Sequence, residues 1–125
     1  MSERRRILAV VDDDSRVFES LENLFESAGY VVRTFSSARA LIDAGLSGID
    51  CLITDIGMPD LDGFELRDVV KKAQPDLPVI LITGRHEIAD QDRAQGISGF
   101  FRKPFDGQAL LAAVDDALND REGEG

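Results

Sequence analysis

Three apolar runs of the sequence end at residues that can bind a cation or a phosphoryl group. Asp12 and Asp13 follow the first run, Asp55 follows the second and Thr83 follows the third. A fourth apolar segment leads to Lys103. Carboxylates, a hydroxyl group and an ammonium group at one place would form a site for a hard divalent cation and a phosphoryl group. The sequence predicts such a site if the fold brings these five residues together.

The apolar runs are expected to be strands of one sheet. They cover residues 7–11, 51–54 and 79–82, and they are rich in β-branched and aliphatic residues without polar alternation. Such runs are typical of strands covered on both faces, as in a parallel sheet flanked by helices. Because the ligand crevice of such a sheet lies beyond the carboxyl ends of its strands, the reactive residues are expected to share it.

The segments between these strands carry apolar residues at helical spacing. Asp14 or Ser15 can cap a first helix that stops at Gly29, and a second strand covers residues 30–35. The sequence therefore predicts five strands and five helices in alternation. The second helix is expected after Ser36 or Ser37 and up to Gly45, the third over about 64–73, the fourth up to Gly96 and the fifth after Asp106. The fifth strand is expected to end at Lys103.

Composition indicates one globular α/β domain with an acidic surface. The 125 residues include 24 acidic and 14 basic side chains, and the formal net charge is −10. This charge argues against binding of nucleic acid or anionic lipid by this domain. A single cysteine rules out an internal disulfide, and no apolar stretch approaches the roughly twenty residues of a membrane span. We expect a cytoplasmic domain over residues 1–119, followed by a flexible tail or linker start over 120–125.

The motifs at the strand ends resemble those of a known family. They read Val10-Val11-Asp12-Asp13-Asp14, Ile53-Thr54-Asp55-Ile56-Gly57-Met58-Pro59, Asp62-Gly63, Ile82-Thr83-Gly84 and Lys103-Pro104-Phe105. In joint order and spacing they resemble the receiver domain of bacterial two-component response regulators, over about residues 6–118. This resemblance implies a flavodoxin-like (βα)5 fold whose doubly wound parallel sheet has strand order 2-1-3-4-5. Its switch point would lie between the first and third strands.

The resemblance also implies a role for each residue at these strand ends. Asp55 would accept a phosphoryl group from a sensor histidine kinase or a histidine phosphotransfer protein. Mg²⁺, or Mn²⁺ in its place, would be bound by Asp13, Asp55 and the carbonyl of Gly57, and by Asp12 mainly through a metal-bound water. A divalent cation is needed on physical grounds, because three ionised carboxylates repel one another and a phosphoryl group adds roughly two more negative charges. Catalysis would be limited to the domain's own phosphorylation and dephosphorylation.

Lys103 and Thr83 would then contact the phosphoryl oxygens, and an aromatic residue would transmit the change. That residue is Phe100, three positions before Lys103, while the neighbouring Phe101 points to the opposite face. The peptide bond before Pro104 would be cis, as is typical of the family. The output face would be the outer surface of the fourth helix, the fifth strand and the fifth helix.

The chain departs from the family pattern between Thr83 and Lys103. Only 20 positions separate the two residues, about two fewer than the family usually has, and residues 85–93 are strongly polar. We therefore expect the fourth helix, within residues 84–96, to be short, displaced or mobile. The oligomeric state, the cognate kinase and the presence of a C-terminal output domain stay open.

Two other functions were weighed against phosphoacceptance. A degenerate receiver could serve as a docking module that is not phosphorylated, although all five functional positions carry the expected residue types. A haloacid-dehalogenase-type phosphatase also phosphorylates an aspartate at a strand end. Its motif needs a second acid two residues after the nucleophile, where this chain has Gly57.

Overall fold

The structure is a computed structural model that describes residues 5–84, 99–103 and 105–123, with side chains up to residue 119. Five strands form one parallel sheet in the order β2-β1-β3-β4-β5, as predicted. The strands are β1 (Ile7–Val11), β2 (Val31–Phe35), β3 (Cys51–Asp55), β4 (Val79–Thr83) and β5 (Phe100–Arg102). The helices of the described residues are α1 (Ser15–Ser27), α2 (Ala38–Ala44), α3 (Gly63–Ala73) and α4 (Gly107–Gly123).

Side chains of the central strands alternate between two hydrophobic clusters, one on each face of the sheet. In β1, Ala9 and Val11 pack into a cluster that also holds buried residues of α2 and α3. Leu8 and Val10 pack into the cluster with residues of α1 and α4. Strands β3 and β4 are buried along their whole length. Burial on both faces accounts for the unbroken apolar runs, since each successive side chain enters one core or the other.

Side-chain caps define where the helices begin. Asp14 caps α1 by accepting a hydrogen bond from the Arg16 amide at 3.0 Å, and Ser37 caps α2 by accepting one from the Ala40 amide at 3.0 Å. Both caps decide between alternatives that the sequence left open. At α3, Asp62 forms a capping box with Glu65, which satisfies two backbone donors of the first turn.

Some boundaries differ from the predicted ones. Helix α4, the fifth of the predicted helices, continues to Gly123, so the backbone of residues 120–123 is helical rather than irregular. The reason is local, because no proline or glycine interrupts the chain between Gly107 and Gly123. Strand β2 begins at Val31 rather than residue 30, and β5 ends at Arg102 rather than Lys103. The domain boundary at residue 119 stays a prediction.

Two sequence predictions fall outside the described residues. The fourth predicted helix lies mostly within 85–98, and the cis peptide bond was predicted before residue 104. Within the described ranges, none of the helices is both long and apolar enough to cross a membrane.

Two polar contacts join parts of the chain that are distant in sequence. The buried Asp50 carboxylate accepts a hydrogen bond from the Ile7 amide at 2.8 Å and lies 3.8 Å from the Arg6 guanidinium. The Tyr30 hydroxyl, just before β2, donates a hydrogen bond to the Asp115 carboxylate on α4. The first contact holds the start of β1 next to the residue before β3. The second holds α4 next to the start of β2, which is an edge strand of the sheet.

Candidate metal and phosphoryl site

The carboxylates of Asp12, Asp13 and Asp55 form a cluster at the carboxyl end of the sheet. Asp12 follows β1 and Asp55 ends β3, and the parallel register of these neighbouring strands pairs Val11 with Thr54. Oxygen atoms of the three side chains all lie within 4.8 Å of one another. Asp12 and Asp55 are only 1% and 6% exposed, whereas Asp13 is exposed. The structure thus brings together the three acids that the sequence singled out.

Lys103 supplies a positive charge to the same place. Its Nζ atom lies 3.0 Å from Asp12 Oδ2 and 3.6 Å from Asp55 Oδ1. Its backbone amide donates a 2.7 Å hydrogen bond to the carbonyl of Thr83, the fully buried last residue of β4. Because β4 and β5 are paired in register, the hydroxyl-bearing and ammonium-bearing residues are held side by side.

Burial and neighbouring charges shift the pKa values of Asp55 and Lys103. Burial raises the pKa of Asp55, the negative charge of Asp12 raises it further, and Lys103 opposes both effects only in part. For Lys103, burial works to lower the pKa, but the hydrogen bond to Asp12 and the charge of Asp55 together outweigh burial and raise the pKa. The cluster therefore has more negative charge than its one ammonium group compensates.

The donor set fits a hard divalent cation. Mg²⁺ prefers oxygen ligands at about 2.0 to 2.1 Å in an octahedron, so opposite ligands are about 4 Å apart. The carboxylate oxygens of the three aspartates lie within 4.8 Å of one another, which is close to that spacing. A small inward movement of a side chain, or one intervening water, would allow all three to bind the same cation. Gly57, the further predicted ligand, is exposed two residues after Asp55, in the loop that leads to the buried Met58.

Gly63, the first residue of α3, allows the helix to approach the end of β3 closely. Its amide donates a 3.1 Å hydrogen bond to the Ile56 carbonyl. A Cβ atom at this position would lie 2.6 Å from the carbonyl oxygen of Asp55 and 2.8 Å from the Cα of Ile56. The Asp62-Gly63 motif did not by itself predict this contact, because the same pair recurs as Asp106-Gly107 at the start of α4, where a Cβ atom would meet only Leu24 at 3.6 Å.

Asp14 positions the side chain of Asp12 through a backbone hydrogen bond that was not predicted from the sequence. The Asp14 amide donates a 2.9 Å hydrogen bond to Asp12 Oδ1, and the Asp14 carboxylate binds the Arg16 guanidinium through both oxygens at 2.9 and 3.0 Å. The bonds to Arg16 lower the pKa of Asp14 to about 2. An aspartate that accepts from the amide two residues ahead is a common turn, so the run of three acids contained the signal.

The two phenylalanines of β5 point to opposite faces, as predicted. Phe100 packs against the cluster beneath α2 and α3, and Phe101 packs against the cluster beneath α1 and α4. Both side chains are partly buried. They belong to a three-residue strand at the edge of the sheet.

Comparison with known proteins agrees with this fold and site. A family model described as the response regulator receiver domain matches residues 8–115. The chain therefore belongs to the response regulator receiver domain family, as the strand-end motifs indicated. It is a signalling domain of the two-component type.

Individual relatives show the same relationship. The response regulator protein TodT of Pseudomonas putida is 36% identical over 121 residues, which cover 94% of this chain and 53% of TodT. The transcriptional regulatory protein FixJ of Bradyrhizobium diazoefficiens is 37% identical over 117 residues, which cover 90% of this chain and 57% of FixJ. The chain thus spans about half the length of these relatives.

A solved structure gives the same fold. The CheY-like receiver domain protein from Methanospirillum hungatei superposes with a TM-score of 0.89 at 25% identity, covering 98% of this chain and all of that one (100%). The likeness extends over the whole sheet and therefore over every strand that carries a site residue.

Proposed function

We propose that this domain works in a phosphorelay, in which Asp55 accepts a phosphoryl group from a phosphohistidine on a sensor kinase or a histidine phosphotransfer protein. The observation that supports this proposal most strongly is the cluster itself. Three carboxylates lie within 4.8 Å of one another, and one ammonium group lies 3.0 and 3.6 Å from two of them. A purely structural ion pair would not need the third carboxylate, which only adds repulsion.

In the proposed reaction, a carboxylate oxygen of Asp55 attacks the phosphorus atom. The bond from phosphorus to the imidazole nitrogen breaks, and its electron pair stays with the nitrogen. The Lys103 ammonium group then contacts a phosphoryl oxygen in addition to Asp55, and the Thr83 hydroxyl donates a hydrogen bond to another phosphoryl oxygen. Burial of Asp55 keeps water away from the attacking oxygen and makes the surrounding charges more effective.

Mg²⁺, or Mn²⁺ in its place, would be held by Asp12, Asp13, Asp55 and the carbonyl of Gly57. When bound, the ion would neutralise the carboxylates and the incoming phosphoryl oxygens. The excess of negative charge that raises the pKa of Asp55 is the property of this chain that favours such binding.

Phe100 is proposed to transmit phosphorylation to the output face. Movement of Thr83 toward the phosphoryl group would open space beside β5, and the partly buried Phe100 ring would turn into it. Phe100 has no hydroxyl group, so its two positions would differ by packing alone. Such a switch would bias a two-state equilibrium by a few kcal/mol at most.

The relatives suggest the setting of this domain. FixJ and TodT are response regulators about twice as long as the matched region. We therefore propose that the present domain, over residues 1–119, acts with a C-terminal output domain in the cytoplasm, and that residues 120–125 begin the connection.

Acetyl phosphate provides the test of phosphoacceptance. Incubation with acetyl phosphate and MgCl₂ should add the mass of one phosphoryl group to the intact protein, and Asp55→Asn should abolish the addition. The matched control is Asp60→Asn, which removes one charge from the exposed part of the same loop and should be labelled normally. Labelling of Asp55→Asn at full stoichiometry would refute the acceptor assignment. Failure to label the folded wild type would favour the docking-module alternative.

A further inference from the structure

A cavity lies at the end of the sheet opposite the carboxylate cluster. It has a volume of about 300 Å³. Val79 and Ile80, the first residues of β4, form its floor, and α3 and α4 contribute its walls. Nothing in the proposed phosphoryl chemistry uses this cavity, since the proposed acceptor Asp55 and Lys103 lie at the carboxyl end of the sheet, whereas the cavity lies where β4 begins.

The short last strand accounts for the position of the cavity. Pairing between β4 and β5 begins at Leu81, whose amide donates a 2.8 Å hydrogen bond to the Gly99 carbonyl. Val79 and Ile80 precede that pairing, so β5 does not cover them. Gly99 also lines the cavity, and it has no side chain to fill the space. A Cβ atom there would approach Ile80 Cγ1 to 3.0 Å.

Two cations of α3, Arg67 and Lys71, line this cavity, and neither forms a salt bridge with another residue of the described ranges. Arg67 and Lys71 are four residues apart on α3, so their like charges lie on one face of the helix and repel each other. Burial lowers the pKa of Lys71, and the charge of Arg67 lowers it further. Arg67 Nε is buried and has no hydrogen-bond partner within the described part of the chain. A pair of adjacent cations is unexpected in a domain of net charge −10.

Other contacts hold the walls of the cavity in place. Lys71 Nζ donates a 2.7 Å hydrogen bond to the Leu77 carbonyl, which keeps the ammonium group at the cavity wall. From α4 come Ala113, Ala117 and the carboxylate of Asp116. The cavity therefore combines an apolar floor and wall with two positive charges and one negative charge.

We propose that this cavity binds a small organic monocarboxylate with an apolar body. Among the residues that line the cavity, Arg67 and Lys71 leave one positive charge after Asp116 is counted, which matches a monoanion better than a phosphate dianion. The planar guanidinium group of Arg67 suits a carboxylate, and the apolar body would contact apolar lining residues such as Ile80, Ala113 and Ala117. The volume is at the lower end of the range for small-molecule sites, about 300 to 1,000 Å³, so the ligand is small.

Titration with benzoate, followed by amide resonances in NMR spectra, tests this proposal on the whole chain. Benzoate should shift the amides of Gly99 and Ala113 in a saturable manner. The neutral isostere benzamide and inorganic phosphate should shift them much less at equal concentration. Equal shifts with benzamide would refute recognition of the carboxylate, and equal shifts with phosphate would refute the preference for a monoanion. Benzoate shifts that do not saturate would show that no site exists.

Two variants separate specific binding from general attraction of anions. Arg67→Gln should weaken benzoate binding about tenfold, as expected for the loss of one charge-assisted hydrogen bond. Lys72 follows Lys71 in the sequence but does not line the cavity. Lys72→Gln therefore removes one positive charge nearby and should leave the affinity for benzoate unchanged. Equal weakening in both variants would show that benzoate responds only to net charge. Neither residue belongs to the carboxylate cluster, so phosphorylation of Asp55 should be unaffected.

Discussion

At the scale of single residues, Gly63 shows how a residue without a side chain contributes to the proposed acceptor site. A methyl group at this position would press on the backbone of Asp55, and backbone atoms cannot move aside as a flexible side chain can. Gly107 has the same local position, since it is the first residue of α4 and follows Asp106, which accepts a hydrogen bond from the Gln108 amide. A methyl group at Gly107 would meet only Leu24 side-chain atoms at 3.6 Å.

Gly63→Ala should therefore destabilise the protein by about 1 to 3 kcal/mol, the usual cost of overpacking. It should also slow labelling by acetyl phosphate, because the displaced backbone carries the proposed acceptor, Asp55. Gly107→Ala should be neutral or stabilising by up to about 1 kcal/mol, since alanine restricts the unfolded chain more than glycine does. Urea unfolding and the rate of labelling measure the two effects. Similar results for both variants would contradict the positioning role of Gly63.

At the scale of elements, the hydrogen bond between Tyr30 and Asp115 ties α4 to the start of β2. The two residues are 85 positions apart in sequence, and the Tyr30 ring also packs edge-on against Phe25 of α1 at a centroid distance of 6.4 Å. Burial raises the pKa of Tyr30, and the hydrogen bond to Asp115 raises it further. The contact therefore depends on a protonated phenol.

This shift predicts a loss of stability in alkali. Since the pKa of Tyr30 is higher in the folded than in the unfolded protein, its contribution to stability is complete below the ordinary value of about 10 and is lost as the pH rises above it. Tyr30→Phe should remove that part of the pH dependence. Tyr30 is the only tyrosine and tryptophan is absent, so ultraviolet absorbance of the tyrosinate follows this group alone. Ionisation of the folded protein at the ordinary pKa would contradict the prediction.

The elements that the sequence predicted best are those with a local signal. Strands β1, β3 and β4 were predicted because burial on both faces leaves an uninterrupted apolar run with a polar residue at its end. Helix starts were predicted at Asp14 or Ser15, at Ser36 or Ser37 and at Asp106. The side chains of Asp14, Ser37 and Asp106 accept hydrogen bonds from amides two or three residues ahead. The continuation of α4 to Gly123 was missed because a polar composition was taken as evidence of a tail.

Contacts between residues distant in sequence had no such signal. Asp50 is nearly buried and bonds to the Ile7 amide 43 positions away, yet in the sequence it is one acid among 24. The cluster of Asp12, Asp13 and Asp55 could be predicted because the parallel topology places strand ends together. The sequence did not predict that the Lys103 ammonium group lies closer to Asp12, at 3.0 Å, than to Asp55, at 3.6 Å.

At the scale of the whole molecule, the net charge of −10 means that a bound cation should also change the free energy of unfolding. A cation that binds only the folded chain stabilises it, by about 2.7 kcal/mol at a hundred times its dissociation constant. Mg²⁺ should therefore raise the midpoint of thermal unfolding by several degrees at constant ionic strength. The increase should be much smaller in Asp13→Asn and should persist in Asp60→Asn. An equal increase in Asp13→Asn would show that the ion acts through general charge screening.

The ion pair between Lys103 and Asp12 joins residues 91 positions apart. Both acidic strand ends precede Lys103 in the sequence, so during synthesis the carboxylates emerge well before their compensating ammonium. A nascent chain that has folded β1 and β3 without β5 carries an uncompensated repulsion at its centre. The contact that balances this charge can form only when the last strand is added, and competence for phosphoryl transfer would then begin only in the completed domain.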